Sequence, residues 1–455
     1  MKTRLVCVAL CFFPLVRATT AVADTIRVPA DAPTIQIAIQ KAQPFDLIIV
    51  APGTYHEAID LSGKVITVQS EDPNDPAVVA STIIDAGGLG TVVSFSGGAD
   101  HIDTLLAGFT LRNGITGIEG HGSGARVHDC VITANSSNGV DDLDGELARS
   151  QVTDNGGIGI VNCDGVISQC TISGNWRGIQ TSDATIIDTQ VTDSLDHGLI
   201  ECDGELIRCI VSRNKNSGLW ACDISIHQSV ISGNITFGCL GCNGDVIDNS
   251  VFVGNGGNGL TSSSADVLSC TIAANGGWGF ADHTGEISHA IIWSNEGGAL
   301  LRSTTPVSSG TFNPFFVLPG FLDNSSGLWV DGNYNLTPDS AYIDIGDPFY
   351  GDDPSHPTVD LAGNPRIVGA RADIVAYEFQ AECVGPDFDD DGTPDLCDSD
   401  IDNDGVTNVP DQCDFTPAGI EVDGEGRPHA DMNRDCIVDL RDYARLQNSM
   451  FGPGR

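Results

Sequence analysis

The sequence predicts an all-β parallel β-solenoid, wound at about 20 residues per coil. Three observations predict it. An asparagine recurs at positions 135, 155, 175, 214, 234, 255, 275 and 295, and Ser194 fills the one place skipped. A glycine follows each at Gly139, Gly159, Gly178, Gly198, Gly218, Gly238, Gly259 and Gly279. A small residue precedes each by five, in the column Cys130, Ser150, Cys170, Thr189, Cys209, Ser229, Ser250, Cys270 and Ala290. Three columns at one period mean a repeat architecture.

Between these marks lie short β-branched pieces such as Cys170-Thr171-Ile172-Ser173, which read as short strands joined by tight turns. Stacked at the strand spacing of ~4.8 Å, they form a solenoid in which each coil contacts only its neighbours. The asparagine column is expected to bond along the stack and satisfy polar groups at a bend. The glycine column is expected to supply positive φ at a turn.

The chain opens on Lys2 and Arg4, an apolar run from Leu5 to Val16, and Ala21-Val22-Ala23, so residues 1–23 read as a signal peptide. The run is too short to span a bilayer of ~30 Å, and no later stretch is long and apolar enough for membrane insertion. The expected product is exported, extracellular or at the cell surface. Of 15 cysteines, 13 follow residue 23, an odd number. The column Cys163, Ser182, Cys202, Cys222 and Cys242 points inward and reads as buried thiols, although adjacent members stand within disulfide range.

Residues 24–300 therefore form the coils with their cap, and 301–382 the closing coils. Thr25 to Gln40, followed by Asp46 to Tyr55, resembles the entry of the pectin lyase-like superfamily of right-handed parallel β-helices. The resemblance implies a short capping helix over Thr34 to Ala42, which covers the open edge. Leu336 to Gly346, Asp360 to Arg366 and Asp373 to Glu378 resemble the closing coils of secreted β-helix proteins, with Val375 where a glycine is usual.

From Cys383 the composition changes: 16 Asp and 2 Glu stand against 5 Arg, a net of −13, while residues 24–382 carry −31 of the total −41. Asp387, Asp389, Asp391, Asp395 and Asp398 occupy positions 1, 3, 5, 9 and 12 of a loop. Asp400, Asp402, Asp404, Asn408 and Asp411 repeat the spacing, as do Asp431, Asn433, Asp435, Asp439 and Asp442. Such a loop supplies the oxygens that Ca²⁺ requires, with a glycine at position 6 for the sharp turn. That glycine is Gly392 and Gly405 in the first two loops, and Cys436 replaces it in the third. Residues 383–414 resemble thrombospondin type 3 repeats, and 415–455 resemble half of a dockerin. A complete dockerin has two loops, so a cohesin partner is not expected.

The charge excludes nucleic acid as a partner. Gly120-His121-Gly122 and Asp141-Asp142 resemble polygalacturonase motifs, but in reversed order and without their Arg-Ile-Lys, so catalytic residues stay unassigned. The aspartate column Asp144, Asp164, Asp183, Asp203 and Asp223 fits turn chemistry, with calcium bridging and catalysis as alternatives. After the glycines, one face is expected to display Asp142, Asn162, Gln180, Glu201 and Trp220, with Arg177 and His197 beside it. Arg177, His197, Glu201 and Trp220 are the candidate substrate-binding residues. Two functions follow: a calcium-binding β-helix that binds or processes an extracellular polysaccharide, by hydrolysis or elimination if catalytic, or a non-catalytic cell-surface or matrix adhesion protein.

Overall fold

The structure is a computed structural model and describes residues 23–96 and 103–304, parts of 309–379, and a few positions between 405 and 436. The predicted leader and all fifteen predicted calcium ligands lie outside the described residues, except that the leader's Ala23 is described. The module boundaries at 383 and 415 lie outside them too.

Three parallel sheets run the length of a parallel β-helix, with 13, 12 and 12 strands among the described residues. Each coil contributes one strand to each sheet, as in Val166–Ser168, Thr171–Ser173 and Arg177–Gln180. The first sheet runs from Thr25–Val28 to Ile287–Ser288, the second from Gly53–Tyr55 to Ile291–Trp293, and the third from Ile59–Asp60 to Gly298–Leu301. Alternation sends Ile167, Ile172 and Ile179 of one coil into a single continuous core.

The expected cap is helix α1, Ile35–Lys41. Thr34 caps it by accepting the Ile37 N–H at 3.2 Å, and Glu57 accepts the Ile35 and Gln36 N–H groups at 2.9 and 3.0 Å. Ile35, Ala38 and Ile39 close the end of the core. A second short helix, α2 (Pro76–Ser81), begins at Asp75 and was not legible in the repeat.

The asparagine column is a ladder. Asn234 Nδ2 donates to Asn255 Oδ1 at 3.0 Å and to the Val211 carbonyl at 3.1 Å, while its Oδ1 accepts from the N–H and Nδ2 of Asn214. Ser194 divides the column into Asn135–Asn175 and Asn214–Asn295, and its own buried hydroxyl has no partner. Along the small column several N–H groups donate to the next side chain, as Cys209 does to Ser229 Oγ and Ser229 to Ser250 Oγ, both at 3.0 Å.

The glycine column does not serve positive φ, and this corrects the sequence expectation. Its members lie outside the left-handed region. A Cβ on Gly218 would stand 2.7 Å from the Gly238 carbonyl oxygen and 2.8 Å from Asn234 Nδ2. Glycine is required there by the close approach of successive coils. The left-handed corners fall instead mainly on other residues, three per coil, such as Arg208, Arg213 and Glu201.

Of the inward column, Cys163, Cys202 and Cys222 are buried free thiols, whereas Cys242 is disulfide-bonded to Cys239 of its own coil. The sequence reading did not anticipate that pairing. The closing residues lie along the side of the helix. Tyr334, Leu336, Tyr342, Val375 and Ala376 pack on Val251, Val253, Ala273 and Ile291, which point outward from the second sheet. Within that segment Arg366 pairs with Glu378 at 2.9 Å, both buried, and Asp360 Oδ1 accepts the Ala362 and Asn364 N–H groups.

Candidate functional site

The third sheet places one side chain per coil on its outer face. Register brings Asp60, Ser94, Glu119, Asp141, Val161, Gln180, Ile200, Trp220 and Leu240 into one row. Glu201 is absent from this row. It occupies the next position, a left-handed corner with φ 52°, in the column of Asp142, Asn162 and Thr181. The expected face is therefore two columns: Gln180 and Trp220 share the sheet, whereas Asp142, Asn162 and Glu201 turn away at the corner. A shift of one residue along a chain of period two moves a side chain to another face.

Arg177, His197 and Trp220 do come together, around a residue that sequence reasoning passed over. Asp196 accepts from Arg177 Nε at 2.9 Å and from Asn216 Nδ2 at 3.0 Å, and its Oδ1 lies 3.6 Å from His197 Nε2. Arg177 also reaches Gln180 Oε1 at 2.9 Å. Thr236 extends the line, donating to Asn216 Oδ1 at 2.9 Å. The His197 ring stacks on Trp220, with centroids 5.3 Å apart and planes 14° apart. The missed signal was the ladder column itself: Arg177 and Asp196 each stand two residues after their ladder position, Asn175 and Ser194, and the step from Asn175 to Gly178 is one residue shorter than in the other coils.

Burial pushes the Asp196 carboxyl up, but hydrogen bonds from Asn216 and Arg177 outweigh it and hold the group below its ordinary range. Burial also dominates at His197 and pushes its pKa down against the attraction of Asp196, so the ring is neutral at pH 7. An ionised, saturated aspartate and a neutral, stacked imidazole make a rigid polar platform.

At the corner beyond, the aspartate column forms a ladder of its own. The Asp183 N–H donates to Asp164 Oδ1 at 3.0 Å, and the Asp164 N–H to Asp144 Oδ1 at 3.3 Å. Burial and the neighbouring carboxylates Asp164 and Asp203 push Asp183 upward. His121 Nε2 lies 3.2 Å from Ser94 Oγ, and Asp141 accepts from Asn138 at 3.0 Å. Asp142 is raised by burial and then by Asp144 and Asp141.

The first sheet carries two imidazole–carboxylate pairs on its outer face that sequence reading did not find. His227 Nδ1 lies 3.0 Å from Asp248 Oδ2, and His128 Nε2 lies 2.9 Å from Glu146 Oε2. The hydrogen bond to Asp248 pushes His227 above its ordinary value. The cations of the coils are largely consumed: Arg112, Arg149, Arg177, Arg208, Arg213 and Arg302 each pair with an aspartate. No group of three or more His, Cys, Asp or Glu suited to a metal occurs among the described residues, and none of their helices is long and apolar enough to cross a membrane.

No family model and no curated protein matches the chain. Among solved structures, the pectate lyase Pel9A is 14% identical, with 79% of this chain and 97% of that chain covered at a TM-score of 0.42. The A-module of the mannuronan C-5 epimerase AlgE6 of Azotobacter vinelandii is 12% identical, with 61% and 95% covered at 0.34. A point mutant of the periplasmic alginate epimerase AlgG is 14% identical, with 64% and 82% covered at 0.38. At such distances no residue, substrate or activity transfers to this chain.

Proposed function

We propose that this protein is an extracellular, calcium-binding β-helix that holds a polysaccharide on the outer face of its third sheet. The observation that carries the reading is the platform of Trp220 and His197, braced by Asp196, Arg177 and Asn216. A half-buried indole supplies an apolar surface for a sugar ring, and amides and hydroxyls alongside supply partners for its hydroxyls. The paired arginines leave little to attract uronate polymers, so a neutral glycan fits better.

The platform favours binding over turnover. Asp196 is ionised and saturated and His197 is neutral and stacked, so neither is poised as the acid of a glycosidic cleavage. This supports the non-catalytic matrix or adhesion reading within the same surface.

Calcium belongs to the tail in this reading. Two of the predicted turn positions, Gly405 and Cys436, have φ of 93° and 61°, so the cysteine adopts the left-handed turn that its glycine counterpart adopts. Cys436 is disulfide-bonded.

The test incubates the secreted protein, with and without calcium, against neutral and acidic polysaccharides. Retention of a soluble neutral oligosaccharide that is lost in Trp220→Ala supports the site, and equal retention by that variant refutes it. New reducing ends or unsaturated products would overturn the non-catalytic reading. Calorimetry with calcium is expected to show tight uptake that disappears in Asp389→Ala plus Asp402→Ala, and unchanged uptake refutes the loops.

A further inference from the structure

The corner between the second and third sheets carries a line of exposed apolar side chains. Ile115, Trp176, Leu195 and Ile235 each follow a ladder position, and they are 49%, 49%, 56% and 56% exposed. The fold does not ask for them. The same place in other coils holds Ser136, Gly156, Lys215, Gly256, Gly276 and Glu296, so Ser136 and Gly156 separate Ile115 from Trp176 and Lys215 separates Leu195 from Ile235. Crest main-chain groups are already satisfied, as where Leu195 N–H donates to the Asn175 carbonyl at 2.9 Å and Ile235 N–H to that of Asn214 at 3.0 Å. The ladder amides point inward and are buried. Large apolar side chains left in water at positions that accept serine or glycine mark a contact surface.

The geometry points to this crest as a docking edge for the surface of an uncharged polysaccharide, on the far side of the Arg177–Asp196–Asn216 row from Trp220 and sharing that row with the platform. It extends the glycan reading and rests on it for the class of partner. The crest is one side chain wide and, at a coil spacing of ~4.8 Å, runs about 29 Å from Ile115 to Ile235. A line of that shape suits a straight, repeating polymer face better than an amphipathic helix, which presents a stripe at least two side chains wide. Beside it runs a polar row, Arg177, Asp196, Asn216 and Thr236, already linked through hydrogen bonds. Sugar rings present apolar C–H faces and hydroxyl edges together, and the crest with its row matches both. A formal charge of −41 opposes a second copy, an anionic membrane or a polyanion. Lys215 is the one charge within the crest from Ile115 to Ile235.

The experiment sediments the full chain with microcrystalline cellulose, with chitin and with anionic vesicles. It compares the native protein, the triple variant Trp176→Ser, Leu195→Ser, Ile235→Ser, and Trp220→Ala. Serine already occupies this corner at Ser136, and circular dichroism and thermal melting verify the fold. The expected result is adsorption to an uncharged polymer that falls at least tenfold in the triple variant and survives in Trp220→Ala. Equal adsorption by the triple variant overturns the inference, as does adsorption to vesicles alone. A concentration-dependent dimer that the triple variant abolishes, seen by sedimentation velocity, also overturns it by naming a second copy as the occupant. Capture of soluble oligosaccharide lost only in Trp220→Ala tests the platform separately, so failure of the crest and failure of the platform are read independently.

Discussion

The imidazole of His197 lies against the indole of Trp220, 5.3 Å between centroids and 14° between planes, with the two residues on successive coils. Neither ring is placed by its own strand alone. The stack exists because the coil rise brings position 197 of one turn beneath position 220 of the next. His197→Ala should therefore alter the Trp220 fluorescence maximum and weaken glycan retention roughly threefold to tenfold, by loss of a contact worth about 0.5–1.5 kcal/mol. Unchanged emission would show that the stack does not position the indole.

The break at Ser194 gives a stabilising prediction. Its hydroxyl is buried without a partner between Asn175 and Asn214. Ser194→Asn should join the two ladders and raise stability by about 1 kcal/mol, whereas Asn234→Ala should lower it by about 2–4 kcal/mol by orphaning groups above and below. Denaturant melts of the two variants check both signs.

Gly218→Ala isolates close approach from backbone strain. The φ of Gly218 is not left-handed, but a Cβ would lie 2.7 Å from the Gly238 carbonyl. A loss of about 1–3 kcal/mol is expected in thermal unfolding. A neutral result would mean that the coils separate at little cost.

Two histidines should give stability slopes of opposite sign. His283 is buried with no hydrogen-bond partner on either ring nitrogen, and burial pushes it down to about 4. The unfolded ring titrates near 6.5, so this contribution is complete above pH 6.5 and is lost as pH falls towards 4. His227 is raised by Asp248, so its contribution is complete below 6.5 and is lost as pH rises through the elevated folded value. His283→Leu should flatten the acid limb of the stability profile, and His227→Gln the neutral-to-alkaline limb.

The closing segment depends on one guanidinium. Arg366 pairs with Glu378 and donates to the Asp373 and Val375 carbonyls, all within the layer on the second sheet. Arg366→Met removes the guanidinium from a buried carboxylate and from two buried carbonyls and should cost about 3–5 kcal/mol locally. Hydrogen exchange should rise in 340–379 while the coils around Asn214 stay protected. Uniform exchange across both would show that segment and coils unfold together.

Whatever repeats was legible in the chain alone. A period of twenty residues places asparagine above asparagine and fixes the ladder, the strand order and the inward column, because stacked coils turn sequence spacing into spatial contact. Helix α1 was legible through the family resemblance of Thr25 to Tyr55, and the structure supplies its physical basis in the Thr34 cap and the buried Ile35, Ala38 and Ile39. The tertiary structure decided what depends on one residue more or less in a turn. Glu201 left the platform and Asp196 entered it, because a single-residue offset at a corner carries a side chain to another face. It also decided the reason for the glycine column, since a clash with the next coil is invisible in one coil's φ preferences. The lateral seat of the closing segment was settled by Val251, Val253, Ala273 and Ile291, whose outward apolar faces gain from cover that no period in the chain prescribes.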